Sequence, residues 1–216
     1  MFAWMDKYEG AQSRWYILFN FVMLRLISFN MDYYWQCKKP RKEYKKKEDG
    51  ASLTITDKER INIPCAESDY NVYNFLAYVL YTPLYLCGPI ITFNDFVSQL
   101  HVPSSRITKR YVITYALRLA AVLLVIELFL HYMYVVAISK MKAWEGNTPL
   151  ELSMIGYFNL VVIWMKLLIP WRFFRLWALA DGIWTEENMI RCMSNNFSAQ
   201  RFWKSWHRSF NRWTIR

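Results

Sequence analysis

The run Tyr111–Ile138, YVITYALRLAAVLLVIELFLHYMYVVAI, constrains the fold more than any other part of this 216-residue chain. A spanning helix needs roughly 20 apolar residues, so the run is long enough to cross a bilayer with some tilt. A helix satisfies its own backbone groups, which hydrocarbon demands of any exposed segment. Arg118, Glu127 and His131 interrupt the run. Glu127 and His131 lie four apart, hence on one helical face. Ionisable groups at membrane depth mark either a functional site or an internal ion pair. The pair, facing another helix, is the simpler expectation.

Three further apolar stretches follow the same logic. Residues 14–31, RWYILFNFVMLRLISFNM, are marginal for a span because of Arg25 and two Asn. They predict a short span or a helix packed inside a bundle, with Arg25 paired to a buried carboxylate or snorkelling. Residues 70–93 are long enough to cross, yet Pro83 and Gly88-Pro89 break any continuous helix. A broken or re-entrant helix is tolerated at depth where it lines a protein cavity, and a kinked span is the plain alternative. Residues 152–179 contain Lys166 and Pro170, and the proline should kink the helix or mark its end. Trp171, Arg172, Phe173, Phe174, Arg175 and Trp177 then form an aromatic-basic belt suited to a membrane interface.

Composition agrees. Aromatic residues make up 19% and apolar types 55%, while net charge is +10. Mean hydropathy is only +0.02, as apolar segments separated by basic loops would give. Such charge admits nucleic acid or an anionic membrane surface as partner, and the apolar runs favour the membrane over nucleic acid. Lys38–Lys47 holds seven basic residues in ten. It reads as a solvated and cytoplasmic loop, within a polar stretch 38–69, rather than a nuclear-localisation signal. Cys37, Cys65, Cys87 and Cys192 lie far apart without zinc spacing and read as free thiols; with three scattered His, no metal site is expected. The N-terminal Phe2-Ala-Trp-Met-Asp-Lys-Tyr-Glu carries charge where a signal peptide would be apolar.

Residues 198–216 sort onto a helix with two faces. Arg201, Lys204, Arg208, Arg212 and Arg216 fall on one side, and Trp203, Trp206, Phe210 and Trp213 on the other. The pattern predicts a helix at the membrane–water boundary. His207 sits at the edge of the aromatic face, with Asn211 one turn beyond. A neutral imidazole is well poised for proton transfer near pH 7, and flanking arginines should depress its pKa and keep it neutral. Asn211 could orient it or hold a substrate hydroxyl or carbonyl. The alternative is a histidine that merely hydrogen-bonds at a helix boundary. No P-loop, dinucleotide glycine pattern or GxSxG elbow occurs.

Phe202-Trp-Lys-Ser-Trp-His-Arg-Ser-Phe-Asn-Arg-Trp213 resembles the W-H-R-S-x-N-x-W signature of membrane-bound O-acyltransferases. Three other stretches are similar to the glycerol-uptake and GPI-anchor-remodelling branch of that family. They are Arg25-Leu-Ile-Ser-Phe-Asn-Met-Asp-Tyr-Tyr-Trp35, Tyr81-Thr-Pro-Leu-Tyr-Leu-Cys-Gly-Pro-Ile-Ile-Thr-Phe-Asn-Asp-Phe96, and Asp181-Gly-Ile with Glu187-Asn-Met-Ile-Arg191. Found together and in order, they are far more specific than the tryptophan-histidine motif alone.

The resemblance implies an all-α, multi-pass membrane enzyme of the endoplasmic reticulum, a helical bundle with broken and interfacial helices. It would move an acyl chain from acyl-CoA, as donor substrate rather than bound cofactor, onto a hydroxyl of a lipid or lipid-anchored acceptor, as in GPI-anchor remodelling. It places His207 at a catalytic or site-organising position, and implies that Trp206, Arg208, Asn211, Asp181, Asn188 and Arg191 contact substrate. The family continues into a Tyr/Pro/Gly-rich segment and a second His on a later membrane helix, the expected general base. Neither His101 nor His131 matches that context, so the chain reads as a fragment ending before it. A hedgehog-acyltransferase-like enzyme, or a non-catalytic membrane protein linked to glycerol uptake or regulation, is the alternative.

Overall fold

The computed structural model describes residues 15–38 and 57–215. Arg14, the basic run at 39–47 and Arg216 of the terminal basic face lie outside the described residues. The described chain is mainly helical: α1 (Trp15–Lys38), α2 (Asp57–Asn62), α3 (Val72–Leu80), α4 (Thr82–Leu86), α5 (Phe93–His101), α6 (Lys109–Tyr132), α7 (Val135–Lys140), α8 (Pro149–Ala180), α9 (Ala199–Ser205) and α10 (Arg208–Ile215). This is an all-α membrane protein.

Helix starts follow local capping chemistry. Thr108 caps α6, its hydroxyl accepting the Tyr111 N–H at 3.2 Å. Thr148 and Glu151 form a capping box ahead of α8, with Pro149 at the first helical position. Helix α8 then runs unbroken through Pro170 to Ala180. Of the two outcomes expected at that proline, the helix end is excluded.

Helices α6 and α8 are long and apolar enough to cross a membrane, and only 17% of each apolar window is buried. A core helix of a soluble protein would be mostly buried; these carry leucines outward, such as Leu117, Leu124, Leu160 and Leu167. They pack on each other, with Phe129 against Phe158 (5.7 Å between centroids). Arg118, Glu127 and His131 are all exposed on α6. The internal ion pair expected for them does not form among the described residues, where all three side chains are exposed.

The main core lies at the other end of the chain. Phe93 is fully buried, in edge contact with Phe29 of α1 (4.8 Å) and Tyr78 of α3 (5.7 Å). Helix α1 supplies polar groups to this core. Ser28 Oγ accepts the Phe93 N–H (3.3 Å) and Asp32 Oδ2 accepts the Asn94 N–H (3.0 Å), while Thr92 caps Asp95. Three of the four orphan donors at the start of α5 are thereby satisfied. A carboxylate at this positive helix end is electrostatically favoured.

Arg25 is buried but pairs with no carboxylate among the described residues. Its guanidinium donates to the carbonyls of Tyr78 (2.9 Å) and Val79 (2.5 Å) and lies over the Tyr78 and Tyr85 rings. The last carbonyls of α3 lack helical partners and carry the negative end of its dipole, so a buried cation is at home there.

The 70–93 stretch breaks at Tyr81 and again over Cys87–Thr92. Gly88 allows the second break: a Cβ there would lie 2.4 Å from the Pro83 carbonyl oxygen and 2.8 Å from the Leu84 Cα. This backbone-tight bend carries Ile90 and Ile91 toward the C-terminal helices.

Candidate active site

The polar connector 181–198 threads between α5, α6, α8 and the C-terminal pair α9–α10. Two side chains of α5 and α8 fix its path. Gln99 Oε1 accepts the Trp184 N–H (2.6 Å) and its Nε2 donates to the Trp184 carbonyl (3.1 Å). Arg175, buried on α8, donates through Nε to the Thr185 carbonyl (2.9 Å).

Two consecutive carboxylates then take up the surrounding arginines. Glu187 accepts from Arg172 Nε (3.0 Å), Arg175 Nη1 (3.2 Å) and the Tyr115 hydroxyl (3.0 Å). Glu186 pairs with Arg208 Nε (3.2 Å) and with Arg212. The belt arginines of α8 and the basic face of the terminal segment are therefore turned, in part, into internal ion pairs.

The predicted single helix over 198–216 is two helices. The break falls at Trp206-His207, where Trp206 forms an isolated antiparallel bridge with Met189. The Arg208 N–H bonds the Asn188 carbonyl (3.1 Å) instead of continuing the helical ladder. His207 adopts φ +47°, in the left-handed region that few residues other than glycine enter. Periodicity could not reveal this, because each half keeps helical spacing and the competing partner is nearly twenty residues away.

Around the break the contacts are specific. Asn188, buried, accepts the Ser209 hydroxyl on Oδ1 (2.5 Å), and Ser209 Oγ accepts the Ile90 N–H (2.9 Å). Asn188 Nδ2 is buried without a hydrogen-bond partner among the described residues. The His207 ring stands edge-on to Trp171 (4.9 Å) and to Phe210 (5.6 Å), and Trp206 flanks Trp171 at 6.1 Å. Among the described residues the His207 Nδ1 has no hydrogen-bond partner, and it is sealed from solvent. Burial among these rings pushes its pKa below the usual value. The expected direction thus has a different cause, since Arg208 is committed to Glu186.

The structure brings His207, Trp206, Arg208, Asn211 and Asn188 into one neighbourhood. The Asn211 N–H closes the first turn of α10 on the His207 carbonyl (3.2 Å), which fixes its backbone rather than its side chain. Arg191 is exposed, beside Trp206 and Phe202 on a shallow surface. Asp181 is not brought in: it ends α8 ten residues beyond Trp171, roughly 15 Å along the axis, and its carboxylate accepts the Tyr81 hydroxyl (2.6 Å). Sequence reasoning missed Trp171, Ser209 and the Glu186–Glu187 pair. Charge matching could have found the last, since these are the two adjacent carboxylates of the connector, with four arginines nearby.

Apolar spanning helices and a polar connector folded against an aromatic break that holds a neutral histidine define a class: a helical membrane protein with a candidate site built around a half-buried imidazole. Comparisons narrow the class. The model of the membrane-bound O-acyltransferase family matches residues 1–216. The chain is 52% identical over 213 residues to the membrane-bound O-acyltransferase GUP1 of Candida tropicalis, covering 97% of this chain and 37% of that protein. It is 49% identical over 217 residues to the membrane-bound O-acyltransferase gup1 of Schizosaccharomyces pombe, covering 99% and 37%. A more distant relative is the protein-cysteine N-palmitoyltransferase HHAT-like protein of Mus musculus, 29% identical over 107 residues, covering 47% and 21%. The chain belongs to the membrane-bound O-acyltransferase family. It spans a little over a third of the length of the yeast relatives it matches.

Proposed function

We propose that this chain forms the histidine-bearing part of an acyltransferase that moves a fatty acyl group from acyl-CoA to a hydroxyl of a lipid acceptor. The acceptor oxygen attacks the thioester carbonyl, the hydroxyl proton passes to a base, and the CoA thiolate leaves. The observation that carries this reading is His207 itself: a neutral imidazole, clamped by Trp171 and Phe210 on a strained turn, in a chain of this family. Strain of this kind concentrates at functional sites. Asn188 Nδ2 adds a buried unpaired donor that a substrate carbonyl would satisfy. His207 is assigned a site-organising role toward a base supplied elsewhere in the complete protein. A GPI-linked lipid is the proposed acceptor, and a multi-pass setting in the endoplasmic reticulum membrane the proposed location.

The test uses the complete open reading frame in cells lacking the GPI-remodelling acyltransferase, with GPI lipid composition followed by mass spectrometry. Restored acyl composition is expected, with loss of rescue at normal abundance in His207→Ala. Unchanged lipids with correctly localised protein would reject the remodelling assignment. Acylation of a secreted protein's amino terminus in the same cells would favour the second reading, which the mouse relative's name supports.

A further inference from the structure

Asp181 stands in an unusual electrostatic position. It caps the C-terminus of the long helix α8, where the dipole is negative, and the last turn of α8 holds no basic residue. A carboxylate there is unfavourable, and a cation is what such an end attracts. The nearest cations on the same helix, Arg172 and Arg175, are both taken by Glu187. Asp181 is exposed, and among the described residues its side chain has one partner, the Tyr81 hydroxyl at 2.6 Å, which donates a hydrogen bond but no charge.

What surrounds the carboxylate is aromatic and apolar. Trp177 lies four residues earlier, on the same face of α8, and is 41% exposed. An open groove of about 370 Å³ runs past it, lined by Leu76, Ala77, Leu80, Tyr81, Trp177 and Asp181. Helix α3 continues the groove as an outward stripe, with Tyr73, Leu76 and Leu80 all exposed. These recur at helical spacing and are exposed among the described residues. Indole and phenol faces beside a carboxylate are the recognition chemistry of an ammonium group. An apolar stripe leading away from it accommodates a hydrocarbon chain. Trp177 belongs to the aromatic belt at the end of a spanning helix, which is headgroup depth.

We propose that Asp181, Trp177 and Tyr81, with the Leu76–Leu80 face of α3, form a lateral site for a zwitterionic glycerophospholipid. The headgroup ammonium sits on the Asp181 carboxylate against Trp177, and an acyl chain follows Leu80 and Leu76. Charge complementarity selects this occupant: the unpaired carboxylate attracts a headgroup that carries an ammonium and repels one that is only anionic. The site lies apart from His207 and stands whether or not acyl transfer occurs there.

The protein, expressed from its complete open reading frame, is reconstituted in nanodiscs of equal parts phosphatidylethanolamine, phosphatidylcholine and phosphatidylglycerol. It is then extracted in mild detergent, and the retained phospholipid is quantified by mass spectrometry. The native protein should retain the two ammonium lipids several-fold over phosphatidylglycerol. Asp181→Asn, whose carboxamide oxygen still accepts from Tyr81, should return the ratio to that of the bilayer at an unchanged melting temperature. Asp181→Glu should restore the preference, and Trp177→Leu should lose phosphatidylcholine more than phosphatidylethanolamine. Equal ratios in native protein and Asp181→Asn, or preferred retention of phosphatidylglycerol, overturn the site. So does a zero-length crosslink from Asp181 to a lysine of the same polypeptide, which would show that the protein itself supplies the cation.

Discussion

The His207 imidazole meets the Trp171 indole edge-on, with ring centroids 4.9 Å apart and planes at 72°. Trp171 is buried in the C-terminal third of a spanning helix, and His207 sits at the left-handed turn between two short ones. The contact couples the membrane-embedded scaffold to the residue most able to handle a proton. It also removes water from one side of the imidazole, which is why that group stays neutral.

Protonating His207 should therefore cost stability. Its folded pKa lies below the unfolded value of about 6.5, so the unfolded chain binds more protons in the window beneath that value. Stability attributable to His207 is complete above about pH 6.5 and is lost as pH falls toward the folded pKa. His207→Asn tolerates the left-handed turn and does not titrate. Melting temperatures of the two proteins between pH 5 and 8 should diverge on the acid side, and parallel curves would refute the assignment.

The adjacent carboxylates Glu186 and Glu187 should behave very differently. Glu187→Gln leaves Arg175, 5% exposed at its side chain, without its counter-charge. It should lose on the order of 2–4 kcal/mol, as expected when one partner of a largely buried pair is removed. The Glu186 pairs are about one-third exposed or more, so Glu186→Gln should cost no more than about 1 kcal/mol. Chemical denaturation of both variants decides the matter, and equal losses would contradict the geometry.

Ser209 joins three segments through one hydroxyl. Ser209→Ala leaves the Asn188 carboxamide oxygen and the Ile90 N–H without their partner. The loss should be about 1–3 kcal/mol, read as a lower denaturation midpoint. Asn188→Ala in the Ser209→Ala background should then cost less than it does alone, because the two side chains act as one unit. Strict additivity would show that they do not.

Gly88→Ala should be disruptive although it adds a single methyl group. The added methyl meets the backbone of Pro83 and Leu84, which cannot rotate away as a side chain can. A loss of roughly 1–3 kcal/mol is expected from overpacking. Because the bend also delivers Ile90 to Ser209, hydrogen exchange at the Ile90 amide should accelerate in the same variant. Native-like protection there would mean that the bend relaxes elsewhere.

The apolar runs at 111–138 and 152–179 were enough, alone, to predict helices α6 and α8, since a long, largely apolar stretch leaves the backbone little else to do in lipid. The four motifs likewise carried the family, because they are properties of residue order. What the sequence could not supply was any partner chosen across the chain. Arg25 carries a charge that calls for a carboxylate, yet it finds the carbonyl end of α3. Asp181 lies in a motif with Glu187, yet it bonds Tyr81, a hundred residues away, while Glu187 gathers Arg172, Arg175 and Tyr115. Residues 198–216 have helical periodicity throughout, yet the chain breaks at His207 because Asn188 and Met189 compete for the backbone groups that would continue the helix. Periodicity and composition are local sums, which order fixes. Capping, pairing and the turn that holds His207 depend on which groups burial brings together, and only the packed chain decides that.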